Sequence, residues 1–121
     1  MIALDHSVRD VLERGGLVDI TTTGRRSREP RRIEIVVHNV DGRLYLSGKP
    51  GFPRGWIANL LAESAMTVHL KRGVVADVPA RGRVITDVVE RERVLPPIAA
   101  GWGYGLRVMV AGSPLAEVTI D

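Results

Sequence analysis

The chain has 121 residues, of which 45% are hydrophobic and 26% charged, and this composition is typical of one soluble globular domain rather than of a disordered chain. It lacks cysteine, which excludes disulfides and thiolate metal sites, and its three histidines are too scattered to suggest a zinc site. The net charge is +3, yet residues 25–32 alone hold five arginines and one glutamate and carry +4, so the basic charge is concentrated in one patch. No apolar run approaches the roughly 18–20 residues of a membrane span, so we expect no transmembrane segment and a cytoplasmic protein.

The N-terminal half predicts one helix, a strand and a β-hairpin. Val8 and Leu12 are spaced as on one helix face, and this helix spans about residues 5–14 and stops at the glycine pair that follows. The segment LVDITTT is rich in β-branched residues and predicts a strand, which the turn GRRSREP interrupts. RRIEIVVHNV and RLYLSG predict two antiparallel strands, because the Asp41-Gly42 pair between them is typical of a tight hairpin.

The C-terminal half predicts two further helices and four strands. WIANLLAES has apolar residues at helical spacing, and MTVHLKR and VVADVPARGRVIT predict strands, the second bent near Pro79 and Gly82. DVVERERVLPPIAAG predicts a helix that begins at Asp87, as in a capping box, and that Pro96-Pro97 ends or kinks. GLRVMV and LAEVTI predict a last pair of strands.

These elements predict a mainly β fold with a single domain over residues 1–121. Six or seven strands follow one another mostly through tight turns, which favours an antiparallel sheet, and three short helices remain to cover it. A small closed or half-closed barrel with the helices packed outside is the natural architecture. No GxGxxG motif stands between a strand and a helix, so a Rossmann-type nucleotide fold is disfavoured.

The arginine-rich segment GRRSREPRR lies between two predicted strands and has three interpretations. Turn amides, a serine hydroxyl and guanidinium groups together form a receptor for phosphate or carboxylate oxygens, and we favour this anion site. A solvated turn is the simplest alternative, although five neighbouring arginines repel one another without an evident gain for the fold. Nucleic acid is least favoured, since aromatic residues make up only 4% of the chain and no basic platform accompanies the patch.

A second candidate site is the segment SGKPGFPRGWIANL. Glycines such as Gly51 allow the backbone to approach a ligand closely, Lys49 and Arg54 add positive charge, and Trp56 opens a helix whose N-terminal amides attract anions. Trp56 could equally belong to the core, and Asn59, one turn later, to the helix surface.

The remaining polar and aromatic residues give weaker signals. His38 and His69 lie on predicted strands, where structural or surface roles are favoured over catalysis. Tyr45, Trp102 and Tyr104 could line a pocket, although the segment GWGYG could equally be a flexible loop. The spacing suggests neither a Ser-His-Asp set nor a carboxylate pair, so no catalytic residue is assigned.

Taken together, LVDITTTGRRSREPRR, the hairpin ending LYLSG and the WIANL helix start before a TVHL strand resemble the deazaflavin-dependent nitroreductase-like family. The similarity runs from about Leu17 to Leu70 and more loosely to Leu95. The resemblance implies a split β-barrel of the flavin-reductase-like superfamily. It also implies hydride transfer from reduced coenzyme F-420 to a small conjugated, quinone-like or nitroaromatic acceptor.

The resemblance assigns roles to individual residues. The arginine-rich turn would hold the phosphate and acidic tail of the cofactor with Lys49 assisting, and the WIANL helix start would lie beside the deazaflavin ring. The hydride chemistry would belong to the cofactor, so a missing acid–base set is expected. With the loop residues included, the predicted cofactor-binding set is Arg25, Arg26, Ser27, Arg31, Lys49, Gly51, Arg54, Trp56 and Asn59.

Three positions depart from the family pattern. Arg28 stands where the turn usually has glycine, Glu34 is an acid on the strand that could face the ring site, and Ile57 replaces a tyrosine. An alternative function is therefore a divergent, non-catalytic barrel that binds a fatty-acid-like ligand or flavin mononucleotide (FMN). We expect a small-molecule acceptor as partner, no metal, and a homodimer.

Overall fold

The computed structural model describes residues 6–50 and 55–121, which form four helices and six strands. In chain order the elements are α1 (His6–Arg14), β1 (Gly16–Thr23), β2 (Pro30–Val40), β3 (Arg43–Ser47), α2 (Gly55–Ala62), β4 (Ala65–Leu70), β5 (Ala76–Val84), α3 (Val88–Trp102), α4 (Leu106–Gly112) and β6 (Leu115–Ile120). Within the described ranges, none of the helices has the length and apolar character needed to cross a membrane.

The six strands close into one antiparallel barrel in the order β1-β2-β3-β6-β5-β4. The turn between β2 and β3 is the predicted tight hairpin, since Asp41 and Gly42 have φ values of 53° and 83°, the left-handed values that a type I′ turn requires. The prediction of a mainly β, antiparallel barrel with short helices is confirmed.

All six strands contribute side chains to one apolar core, which we call the first core and which fills the barrel. Ile20, Leu46 and Val68 have no exposed surface there, and α1 and α2 add Leu12 and Leu60. This burial is the main stabilising contribution to the barrel, because each fully buried side chain of this kind is worth about 1.5–3 kcal/mol.

A second core lies on the outer wall of the barrel. Neighbouring residues of a strand face opposite sides of the sheet, so Tyr45 points away from Leu46 and packs with α3 and α4, against Leu95 and Met109. Tyr45 is only 1% exposed and is absent from the residues that line the described pockets, so the prediction that it could line a pocket is wrong.

The segment GLRVMV forms α4 and not the predicted strand. The apolar residues alternate as in a strand, but β6, which would be its hairpin partner, already pairs with both β3 and β5 and has no free edge for another strand. Only Met109 of this helix is buried, while Leu106 and Val108 are 39% and 54% exposed. The segment therefore satisfies its backbone hydrogen bonds internally and buries one side chain.

The helix α3 continues through Pro96 and Pro97 to Trp102, so of the two predicted effects of the prolines, an end or a kink, the end is wrong. Each proline removes the N–H that would bond the carbonyl four residues earlier. Those carbonyls belong to Glu92 and Arg93, which are exposed and accessible to water. Four buried residues on the inner side hold the helix against the second core: Val94, Leu95, Ile98 and Ala99.

Arg91 joins α3 to α4 and is only 8% exposed. Its guanidinium donates hydrogen bonds to the carbonyl oxygens of Ile85 at 2.9 Å, Val110 at 2.9 Å and Met109 at 3.2 Å, and also to that of Ser113. Two of these carbonyls lie in the last turn of α4 and one belongs to its C-cap residue, Ser113, so the arginine adds side-chain hydrogen bonds to the C-terminal end of this short helix.

Candidate functional site

A pocket of about 870 Å³ lies at the end of the barrel where β1 ends, β2 begins and β3 ends, and we call it the site pocket. Seven of the nine predicted cofactor-binding residues line it, whereas Gly51 and Arg54 lie outside the described residues. The lining comprises Thr22, Gly24, Arg25, Arg26, Ser27, Arg31, Ile33, Glu34, Ile35, Val36, Ser47, Gly48, Lys49, Gly55, Trp56, Asn59 and Trp102.

The pocket exists because β2 is longer than its partner β3. β1 pairs with β2 as far as Pro30, but β3 pairs only with Val37–Val40. Among the described residues, no strand pairs with this side of the remaining part of β2, Pro30–Val36, and its edge faces the pocket. Its backbone amides and carbonyls can bond a planar polar ligand, and the sequence analysis did not identify this feature.

The arginine turn, residues 24–31, is held in a fixed shape by its own backbone. The N–H of Gly24 donates to the Glu29 carbonyl at 2.8 Å, and the N–H of Arg28 donates to the Gly24 carbonyl at 2.9 Å. A Cβ at Gly24 would lie 2.5 Å from Ser27 Oγ and 3.2 Å from the Glu29 carbonyl oxygen, so glycine is required there. Ser27 Oγ also accepts from the N–H of Glu29 at 3.2 Å and from Arg31 at 3.4 Å.

Asn59 connects helix α2 to the arginine turn. Its side chain is buried, its Oδ1 accepts from the backbone N–H of Arg25 at 3.0 Å, and its Nδ2 donates to Thr22 Oγ1 at 3.1 Å. Both polar ends of the amide are thus occupied within the protein. Asn59 therefore fixes the position of the turn, and the alternative of a helix-surface role is wrong.

The lining of the site pocket combines cations with apolar groups. Arg25, Arg26, Arg31 and Lys49 are its exposed cations. The aromatic and aliphatic lining residues, which we call the apolar wall, are Ile33, Ile35, Val36, Trp56 and Trp102. Trp56 is 6% exposed and packs in the first core, as one interpretation of the sequence predicted, and it also lines the site pocket. The arrangement suits a ligand with an anionic end and a flat apolar body.

Glu34 lines the pocket, but its carboxylate is paired on the sheet surface with Lys71 Nζ. Lys71 also donates to Asp19 at 2.8 Å, and Asp19 accepts from Arg32 at 3.0 Å. These hydrogen bonds lower the pKa of Asp19 and raise the pKa of Lys71. One of the five clustered arginines, Arg32, is therefore part of this surface network, and the charge of Glu34 is compensated.

The other two departures from the family pattern differ in consequence. Ile57 packs against the first core and is not among the lining residues of the site pocket. Arg28 has φ 61°, the left-handed conformation in which glycine is favoured. The turn thus keeps the shape that a glycine would allow and is strained by the arginine.

Replacing Arg28 with glycine is expected to stabilise the protein by about 1 kcal/mol, because it removes the Cβ strain of a left-handed residue. Urea unfolding measures the change. Arg28→Gln is the matched control, since it removes the same charge but keeps the Cβ. Equal stability of the two variants would show that charge repulsion, and not the backbone, is responsible.

The two histidines on strands differ in their hydrogen bonding, since His69 has two partners and the buried Nε2 of His38 has none. His69 lies between Thr21 Oγ1 at 2.6 Å and Asp77 Oδ1 at 2.7 Å, and it ties β1, β4 and β5 together. His38 Nε2 is buried without a hydrogen-bond partner, and burial lowers the pKa of His38. In the part of the chain that the structure describes, no three His, Asp or Glu residues are grouped to hold a metal ion.

Stability is expected to fall as the pH drops below about 6.5, the ordinary pKa of histidine, partly because of His38. The folded state holds His38 neutral while the unfolded chain binds the proton, so the contribution of this residue is present above that pH and is lost below it. Urea unfolding at pH 7 and pH 5 tests this with His38→Leu, which should lose less stability between the two values. An unchanged difference would contradict it.

Trp102 is the aromatic residue of the GWGYG segment that lines the site pocket. It is the last residue of α3, and Gly103 ends the helix in the left-handed conformation with φ 72°. The segment thus consists of the end of α3, a short turn and Gly105, the N-cap residue of α4. Tyr104 is 38% exposed and is not a lining residue of the described pockets.

Several solved structures have a similar shape. An F-420-H2 dependent reductase is 19% identical, with a TM-score of 0.63, over 98% of this chain and 99% of that one. A FAD-binding protein from Mesorhizobium loti is 16% identical, with a TM-score of 0.65, over 98% of this chain and 91% of the other. A candidate 5-nitroimidazole antibiotic resistance protein from Bacteroides thetaiotaomicron is 16% identical, with a TM-score of 0.69, over all of this chain and 82% of the other.

No protein-family model matches the chain, and no curated protein is similar to it in sequence. The structural likenesses, at 19% identity and below, establish the fold alone. The chain shares its barrel fold with these proteins, and the closed six-stranded barrel agrees with the fold that the resemblance in sequence implied.

Proposed function

We propose that the protein is a deazaflavin-dependent oxidoreductase that transfers a hydride from reduced coenzyme F-420 to a small conjugated, quinone-like or nitroaromatic acceptor. The observation that carries this proposal is one pocket in which a rigid cationic turn meets an aromatic wall and the open edge of β2. The structural likeness to an F-420-H2 dependent reductase and to a FAD-binding protein supports a flavin-type cofactor.

The donor set of the site pocket fits the two chemical parts of such a cofactor. Arg25, Arg26 and Arg31 offer guanidinium groups to phosphate and carboxylate oxygens, and Lys49 lines the same pocket from the segment after β3. The flat ring would lie against Trp56 and along the open edge of Pro30–Val36.

When bound, the reduced deazaflavin supplies the hydride. The protein's own residues bind, orient and shield. Asn59 holds the arginine turn, the arginines hold the anionic tail, and the apolar wall keeps water from the reacting face. The described side chains of the site pocket hold no histidine, and their carboxylate, Glu34, is paired with Lys71, which agrees with chemistry that needs no acid–base pair.

A fluorescence titration of the purified protein with coenzyme F-420, at low and at high salt, tests the proposal. Saturable binding that weakens with salt is expected, because exposed charges at the rim are screened. Saturable binding then justifies assaying reduced coenzyme with quinone and nitroaromatic acceptors. Absence of binding at both salt concentrations would refute the deazaflavin assignment.

Two further observations on the purified protein, its absorption spectrum and a solvent extract, separate the alternatives. FMN binding would make the purified protein yellow with a flavin spectrum, since its phosphate suits the same turn. A fatty-acid-like ligand, with its carboxylate on the arginines and its chain on the apolar wall, would appear in a solvent extract of the protein and would give no hydride transfer.

A further inference from the structure

Trp102 lines the site pocket but comes from a different part of the fold than the other described lining residues of this pocket. Those residues all come from positions 22–59, that is, from β1, β2, β3, α2 and the segments between them. Trp102 comes from the end of α3, which packs on the outer wall of the barrel. The cations of the pocket lie on other elements, Arg25, Arg26 and Arg31 on the arginine turn and Lys49 after β3, so Trp102 contributes an aromatic surface that is independent of that turn.

The backbone that carries Trp102 is well anchored. Ile98 and Ala99, in the preceding turn of α3, are 3% and 4% exposed in the second core. Gly103 ends the helix, and its N–H donates to the Ala99 carbonyl at 3.0 Å. The helix end is therefore fixed, and the direction of the indole depends on what its ring contacts.

One such contact is the imidazole of His38, which meets the indole edge to face. The ring centroids are 5.1 Å apart and the planes are inclined at 77°, a favourable geometry for two aromatic rings. His38 belongs to β2, two residues after Val36, so both side chains leave the strand on the same side. The strand that forms the open edge of the pocket thus also contacts Trp102 through His38.

His38 is a costly residue if its role is packing alone. Its Nε2 is buried without a partner, and an unsatisfied buried nitrogen costs about 1–3 kcal/mol. A leucine would fill the same space without that cost, but it would offer no ring edge to the indole. The feature that distinguishes the histidine here is its aromatic contact with Trp102.

We infer that Trp102 limits the width of the acceptor space and that His38 is the positioning residue that holds its indole there. The inference rests on the proposed function and names the substrate class more closely. Acceptors with one aromatic or quinone ring should fit between the cofactor ring and Trp102, and acceptors with three fused rings should not.

The first test measures kcat/KM with a one-ring and a three-ring quinone for the protein loaded with reduced coenzyme F-420. Trp102→Ala should shift the ratio toward the larger quinone by at least about tenfold, the scale on which pocket shape discriminates substrates. The affinity for the cofactor should stay within about threefold, because tail binding dominates it. An unchanged ratio would overturn the role of Trp102.

The second test needs no cofactor and uses tryptophan fluorescence, since the chain has only two tryptophans and Trp56 is largely buried. His38→Leu should change the iodide quenching of Trp102, and His38→Phe, which keeps an aromatic edge, should restore it. The Trp102→Phe variant identifies the signal of Trp102. Equal quenching of the wild type and His38→Leu would overturn the positioning role of His38.

The two tests separate two kinds of failure. If the protein binds no deazaflavin, the proposed function fails and the acceptor assignment fails with it, whereas the quenching experiment still decides whether His38 positions Trp102. If the cofactor binds and quinones are reduced without the expected change in selectivity, the inference fails and the proposed function stands.

Discussion

Replacing Arg91 with methionine is expected to lower the free energy of unfolding by about 3 kcal/mol or more, since it leaves several buried carbonyls without their donor. The guanidinium donates to the carbonyls of Ile85, Met109, Val110 and Ser113. Without it, the C-terminal end of α4 keeps only the backbone bond from the Ser113 N–H to the Met109 carbonyl. Typical domains have only 5–15 kcal/mol of stability, roughly, so this is a large fraction. Urea unfolding followed by far-UV circular dichroism measures the loss.

The geometry of Arg91 also predicts the effect of lysine at this position. Burial lowers the pKa of Arg91, because the buried site disfavours the charged form. Arg91 therefore stabilises the fold through the geometry of its guanidinium, whose several N–H donors point in different directions. Lysine keeps the charge but cannot reach carbonyls in several directions, so Arg91→Lys should recover only part of the loss. A lysine variant as stable as the wild type would mean that the charge alone suffices.

The matched control is Arg93→Met. Arg93 is two residues away on the same helix, its side chain is 56% exposed, and its one recorded ion pair, with Glu90, is at 3.7 Å. Its replacement should change the stability by no more than about 0.5 kcal/mol. A loss at Arg91 of that small size would contradict the capping role.

The sequence predicts most of the barrel because its local signals agree with the tertiary structure. Asp41-Gly42 specifies the hairpin, and the alternation in β1 matches one buried face of that strand. The packing of α3 and α4 in the second core has weaker signals in the sequence. Arg91 lies in the charged stretch VERERV, which is what a solvated helix face also shows, and its four carbonyl partners come from residues 85–113, which only the folded chain brings together.

The candidate site was predictable to the extent that it is local in sequence. The arginine turn and the WIANL helix start carry their own signals, and the structure brings both to one pocket. The open edge of β2 depends on the register with β3, which sets how much of the longer strand is left unpaired. Trp102 depends on α3 passing through two prolines, and helix propensity opposes that. These features follow from packing and have no signal in a short window of sequence.

Removing the two leading charges of the arginine turn is expected to weaken binding of coenzyme F-420 by at least about 100-fold, since each charge-assisted hydrogen bond is worth about 1.5–3 kcal/mol. The variant Arg25→Gln/Arg26→Gln should fold like the wild type. Both side chains are exposed, and the contact that positions the turn uses the backbone N–H of Arg25, which glutamine retains. Fluorescence titration measures the affinity, and urea unfolding checks the fold.

A second double variant separates a specific site from general attraction between a basic protein and an anion. Arg9→Gln/Arg72→Gln removes the same charge from two exposed arginines outside the site pocket. It should leave the affinity within about twofold, because neither side chain lines the pocket and neither is placed to donate a hydrogen bond to a ligand bound there. The salt dependence should also flatten only in the Arg25/Arg26 variant. If both variants lose affinity equally, the arginine turn is a source of electrostatic attraction without a defined geometry, and the shape that Asn59 and Gly24 give it has no part in binding.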